Sequence, residues 1–508
     1  MRLRAPHYAE GFRPPRLLTA ARLAEAPSSI PVPPDPAKTQ GFVMRGYDFT
    51  FTRYFALTVK DPAKARAFIA SLISGEQAWP SVTIASPWAP PKPNRCLNLG
   101  FTYRGLGALG VPQPVLDSSF GENSDHYSFC LGAAAQAPVV GDYGPSDPSH
   151  WRLSDRDFDV MLILWGADAG IIDEDTVTLG QMIAGGFEDP LPARVFDSQA
   201  IADRKVWFGY KDGIAQPHVA GVPGTPDPDG GQQPVDPSGF MLGTSLSEVY
   251  LGRSVPTPPL GLHGCFGAFR ILEQDVEGFE AMCGRLADAD FRKRYGITDP
   301  AHAVEAVKAL ICGRWTNGVS LAVFPIQGDT PPPTILDNEL NDFLYVLPKG
   351  APDTDPTENV DAGSHCPISA HTRRGNMRGS PWAETKPDNA HRIIRRAASY
   401  QTPYAPDRPD TGERGLMGFF MGACLADQFE FVQQSWVNNP SGFSWSKDTT
   451  DPVMGVLQLG ETDFFQTVGA PKDKLKLQGM ASFVTTRAGA YCFFPGLDGI
   501  AALAAGAL

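Results

Sequence analysis

The chain has 508 residues, of which 42% are apolar and 19% charged, a balance that supplies a large core and excludes global disorder. A net charge of −13 argues against nucleic acid or an anionic membrane as the main partner. No apolar run approaches the ~18 residues that suggest a membrane span.

Length predicts roughly three domains or two large ones, and Gly 52 with Pro 48, about a fifth of the chain, predicts many loops. Residues 1–40 read as an irregular extension, ending in the Pro-rich stretch SSIPVPPDPAKTQ. The basic N-terminus lacks a continuous apolar core and a cleavage site, which predicts a cytoplasmic protein. RYFALTV (53–59) predicts a strand, and Asp61 with Pro62 opens a helix through AKARAFIASLIS that stops at Gly75. NRCLNLGF predicts a second strand, a short helix starts near Arg104, and DVMLILW (159–165) is a buried strand. The second half repeats the rhythm: strand GCFGAFRIL (264–272), helix VEGFEAMCGRL, strand GLMGFFMGA (415–423), amphipathic helix ADQFEFVQQSW (426–436). ASFVTTRAGAYCFFPGL reads as two strands around an Arg-Ala-Gly turn. Uneven alternation with hairpins predicts an α+β layer fold, with 41–250 and 251–508 as two similar halves.

The cysteines Cys96, Cys130, Cys265, Cys283, Cys312, Cys366, Cys424 and Cys492 are scattered without a C-x-x-C pair, which predicts buried reduced thiols. The nine histidines show no paired zinc spacing, so a metal site built on a single histidine, such as a haem iron, is the simplest one the chain can make. His371 lies in HCPISAHTRRGNMR with Arg373, Arg374 and Arg378; HRIIRRAASY follows with His391, Arg392, Arg395 and Arg396. Imidazole ligates iron and guanidinium pairs with carboxylates, although composition alone favours a solvated basic face. In VWFGYKDGIAQPHV, Asp212 stands between Gly209 and Gly213. That is a tight turn, or a carboxylate on a loop that a flat ligand can approach closely.

Taken together, these segments resemble the dye-decolorizing peroxidases: GYKDGIAQP their G-x-x-D-G signature, CPISAHTRRGNMR their proximal-histidine segment and IIRRAASY their distal-arginine segment. Further blocks in the same order include FRILEQDVEGF, LICGRWTNG, NDFLYV, ERGLMGFF and QFEFVQQSWVNN, and the resemblance is to the longer branch of the family. The chain departs from the pattern at Met377, at Tyr210 and in the stretch after Phe120. The resemblance implies two ferredoxin-like halves of the dimeric α+β barrel type with antiparallel sheets, and one haem b held by the C-terminal half. It implies His371 as iron ligand, Asp212 and Arg395 as distal catalytic groups, and Gly213, Arg373 and Arg396 beside the haem, with Arg396 the alternative to Arg395. Glu430, or else Asp427, would accept the second N–H of His371. Hydrogen peroxide and an aromatic donor would be the substrates, with oligomeric state left open. A non-catalytic haem carrier or sensor on the same fold, and a haem-free interaction protein, are the competing readings.

Overall fold

The computed structural model describes residues 32–73, 79–189, 194–222, 234–246, 254–336, 339–341, 343–345, 363, 365–376, 391–402, 412–439, 449–455, 464–468 and 475–508. Gly75, Met377 and Arg378 fall outside the described residues.

The described residues form ten strands in chain order: β1 Phe51–Leu57, β2 Arg95–Phe101, β3 Val160–Gly166, β4 Val195–Gln199, β5 Cys265–Gln274, β6 Ile394–Thr402, β7 Glu413–Gly422, β8 Phe464–Val468, β9 Leu475–Met480 and β10 Val484–Phe494. β8 and β9 pair separately; the other eight make one antiparallel sheet in the order β4-β1-β3-β2-β10-β5-β7-β6. Numbered within each half, both groups of four run 4-1-3-2, the ferredoxin-like order. Helices follow the first and third strands of each half: Pro62–Ser71, Ala169–Ile183, Val276–Leu286 and the segment Ala426–Val437. The halves join through β2 and β10, where Phe101 lies opposite Phe493. The α+β fold and its duplicated halves therefore follow from the sequence rhythm.

Local chemistry sets the helix starts. Asp61 accepts N–H bonds from Ala63 and Lys64, and Asp168, Asp275, Asp288 and Asp299 cap later helices in the same way. Strand alternation then divides the core. Phe55, Leu97, Leu99, Leu162, Phe266, Tyr491 and Phe493 pack on one face, and Tyr54, Cys96, Ile163, Phe269, Phe419 and Phe494 on the other. Seven of the eight cysteines are buried, and all eight are free thiols.

Two expectations need correction. ASFVTTRAGAYCFFPGL makes one strand rather than two, because the register shift between Thr486 and Ala488 absorbs Arg487 as a bulge. ADQFEFVQQSW winds as π-helix, Ala426–Glu430 and Val432–Val437, with i→i+5 bonds such as Glu430 N–H to Leu425 O at 2.9 Å. The irregular N-terminal extension is anchored at its end, where the buried Gln40 amide donates to Leu99 O at 2.9 Å and Pro495 O at 3.1 Å.

Candidate active site

His371 opens a short helix, His371–Gly375, on the C-terminal half. Its Nδ1 lies 2.9 Å from Oδ2 and 3.1 Å from Oδ1 of Asp451, whose side chain is 0% exposed. Asp451 also accepts the N–H groups of Val453 and Met454 at 2.9 and 2.8 Å, and its own N–H donates to Val437 O at 2.8 Å. Burial alone would raise the Asp451 carboxyl, but His371 and the two backbone donors hold it below the usual carboxylate range. Burial likewise opposes charge on His371, yet Asp451 outweighs it and raises the imidazole pKa. Arg374 braces this turn from inside the fold, donating to Trp436 O at 2.7 Å and to Thr449 Oγ1 at 2.7 Å; burial pulls its pKa down to about 10.

The carboxylate expected at His371 was Glu430 or Asp427, and the structure gives that position to Asp451. Glu430 instead accepts from Tyr491, Ser128 and Gln136, and Asp427 engages His391 Nδ1 through its backbone carbonyl at 2.5 Å. Glu430 and Asp427 are committed to those contacts, whereas Asp451 is seated by its N–H bond to Val437 O with its carboxylate at His371. Asp451 lies 80 positions from His371, so no local spacing links them. The Asp-Pro dipeptide at 451–452 signals only the turn that Asp451 stabilises.

Neighbouring arginines on β6 part company because a strand sends adjacent side chains to opposite faces. Arg395 Nη2 donates to Ile214 O at 2.8 Å, and its backbone exchanges bonds of 3.0 and 3.1 Å with the Gln216 amide. These contacts bind β6 to the loop that carries Asp212. Arg396 turns away: its Nε donates to Phe42 O at 2.6 Å, and burial pulls its pKa down to about 10. Arg396 thus braces the opposite face of the sheet from Arg395. Arg373 is 2% exposed, donates to Cys366 O and lies 4.7 Å from the Tyr345 ring.

Asp212 is half-buried, and its Oδ1 accepts the Gly213 N–H at 2.7 Å. Burial raises its pKa, while the Gly213 N–H and the Arg395 charge oppose the rise. Burial lowers the Arg395 pKa, Asp212 resists this, and Arg314 adds to the lowering. Arg395 also lowers the pKa of His371. Arg395 thus acts electrostatically on both Asp212 and His371, although the three belong to separate segments of the chain. Gly213 adopts φ +77°, and a Cβ built there would meet nothing within 4 Å.

The residues fit a haem. His371 has its Nδ1 engaged, leaves 36% of its side chain accessible, and shows no hydrogen-bond partner at Nε2 among the described residues. This is the arrangement of a metal-binding imidazole with its second nitrogen anchored. Open space lies at Gly213, on the loop that carries Asp212. Among the described residues no group of three or more His, Cys, Asp or Glu could hold a bare metal ion.

No family model matches the chain. A dye-decolorizing peroxidase of Mycena epipterygia is 28% identical over 92% of this chain and 86% of its own length. The dye-decolorizing peroxidase AauDyP1 of Auricularia auricula-judae is 26% identical over 98% of this chain and 93% of its own. Over most of its length the chain is thus similar to curated dye-decolorizing peroxidases, at 25–28% identity. Its fold agrees: a crystal structure of a DyP-type peroxidase from Auricularia auricula-judae superposes with a TM-score of 0.73 at 24% identity, covering 92% of this chain and 99% of that one. A dye-decolorizing peroxidase in complex with 2,6-dimethoxyphenol gives a TM-score of 0.73 at 22% identity, covering 93% and 100%. Among the described residues no helix is long and apolar enough to cross a membrane.

The two β6 arginines offer a direct check on the site. Arg395→Ala is expected to slow the peroxide reaction by ~10²–10³-fold, the loss typical of one preorganised charge-stabilising donor. It should also move the acid limb of the rate to higher pH, because the Asp212 pKa rises further once the opposing cation is gone. Arg396→Ala should cost stability of about 1–3 kcal/mol through the orphaned Phe42 carbonyl, with the peroxide rate retained. Stopped-flow kinetics beside thermal unfolding separate the two; equal rate losses in both variants would refute the assignment.

Proposed function

We propose that this chain is a haem-dependent peroxidase that reduces hydrogen peroxide and oxidises phenolic or other aromatic donors in one-electron steps, with one haem b per chain. The observation that carries this reading is an Asp-anchored imidazole together with a guanidinium that is bonded to the Asp212 loop and acts on both Asp212 and His371. A carrier needs the first but has no use for the second.

His371 would hold the iron through Nε2, with Asp451 fixing the ring and raising its basicity. Bound haem would supply the redox chemistry. The chain's own work is proton handling and charge. Asp212 Oδ1 is held by the Gly213 N–H, which leaves Oδ2 to take the proton of incoming peroxide and return it to the departing oxygen. Arg395, held against Ile214 O, offsets the negative charge that builds as the O–O bond breaks. Because burial raises the Asp212 pKa, the base form is lost as pH falls through that raised value, at less acid pH than for a free aspartate.

Loading the purified chain with haem tests the reading. A Soret band and peroxide-dependent oxidation of 2,6-dimethoxyphenol are expected. A Soret band without turnover would favour the carrier, and no Soret band after haem supply would overturn both.

A further inference from the structure

The carboxylate that His371 does not use has its own partner of redox character. Tyr491 and Glu430 are both buried, and Tyr491 OH donates to Glu430 Oε1 at 2.8 Å. Glu430 Oε2 accepts from Ser128 Oγ at 2.9 Å and Gln136 Nε2 at 3.1 Å. These three donors suit an ionised carboxylate, which only accepts. One-electron oxidation makes a phenol strongly acidic, so a buried tyrosine gives up an electron readily only where a base can take its proton.

Three other buried tyrosines lack that arrangement on this face. Tyr47 donates to the Asn98 amide oxygen and Tyr210 to the Lys308 carbonyl, neither of which can keep a proton. Tyr400 donates to Glu413, but that carboxylate is already paired with Arg152, and Tyr400 shares the Arg396 side of β6. Tyr491 lies on the Arg395 side. The register runs Arg395, Phe420, Ala268, Tyr491 across four adjacent strands, a span of about 14 Å at the usual strand spacing. Aromatic rings bridge the gap, Phe420 to Phe429 at 5.5 Å and Phe429 to Tyr491 at 6.3 Å between centroids.

We propose that Tyr491 and Glu430 form a proton-coupled redox pair that holds an oxidising equivalent away from the haem site. The proposal rests on the peroxidase reading. The oxidant is the equivalent left by peroxide reduction. Tyr491 surrenders one electron to it, the phenolic O–H bond breaks, and the proton passes to Glu430 Oε1. One electron from an aromatic donor and the same proton then restore the phenol. Burial raises the proton affinity of Glu430, which suits it to this task.

Freeze-quench electron paramagnetic resonance of the haem-loaded full chain after peroxide, with no donor present, tests the pair. The parent is expected to show a tyrosyl signal, Tyr491→Phe to lose most of it, and Glu430→Gln to lose it with the phenol still in place. Peroxide turnover with a small phenol, read on the same samples, should be retained in both variants. Absent turnover in the parent would overturn the peroxidase reading. Turnover without a tyrosyl signal in the parent, or with the signal intact in either variant, would overturn the pair alone. If Glu430→Gln does not fold, Tyr491→Phe decides.

Discussion

Asp212→Asn is expected to react with peroxide ~10²–10⁴-fold more slowly than the parent chain while keeping its haem. Asparagine preserves size and can still meet the Gly213 N–H through its side-chain oxygen, so the loop at φ +77° has no cause to move. What it lacks is a site for the proton. The parent rate should fall on the acid side as Asp212 protonates, from a pKa raised by burial and restrained by Gly213 and Arg395. The Asp212→Asn variant should lose that limb along with the rate. Stopped-flow mixing with peroxide from acid to neutral pH measures both. A variant as fast as the parent throughout that range would remove Asp212 from the chemistry.

The second large effect lies on the other side of the site. His371→Ala should retain haem poorly, because the imidazole is the group of this site suited to iron. Asp451→Asn should weaken metal affinity or activity by about 10–100-fold, since second partners of ligating histidines commonly carry that much. The two variants differ in a measurable way. Loss of His371 removes the ligand and leaves the Asp451 carboxylate, fully buried, with the Val453 and Met454 N–H groups. Asp451→Asn keeps the ligand but weakens the anchor that raises its basicity. Haem transfer to apomyoglobin, followed by the Soret shift, ranks them. Faster loss from Asp451→Asn than from His371→Ala would contradict the assignment. Glu430→Gln should leave that transfer rate unchanged, since Glu430 touches Tyr491, Ser128 and Gln136 and not His371.

Much of the architecture was legible in the chain itself. Strands at 51–57, 95–101, 160–166 and 265–274 announce themselves as apolar runs, and aspartates at 61 and 275 mark where helices start. His371, Asp212 and the Arg395–Arg396 pair stood out because imidazole, glycine-framed carboxylate and clustered guanidinium carry distinct chemistry. Local pattern failed in two kinds of place. At Arg487 an extra residue was swallowed by a bulge, and at 426–437 the helix widened into π turns; both depend on what the neighbouring strand or turn can accept.

Sequence order sufficed to set the succession of strands and helices and the residue types able to hold iron, move a proton and balance charge, because those properties belong to short segments. Folding alone decided which side of the sheet Arg395 and Arg396 each take, since the face of a strand residue depends on the register of β6 against β7. Folding alone also put Asp451 under His371 and left Glu430 to Tyr491, because carboxylate partners are selected by distance in space, and a distance in space is not written into spacing along the chain.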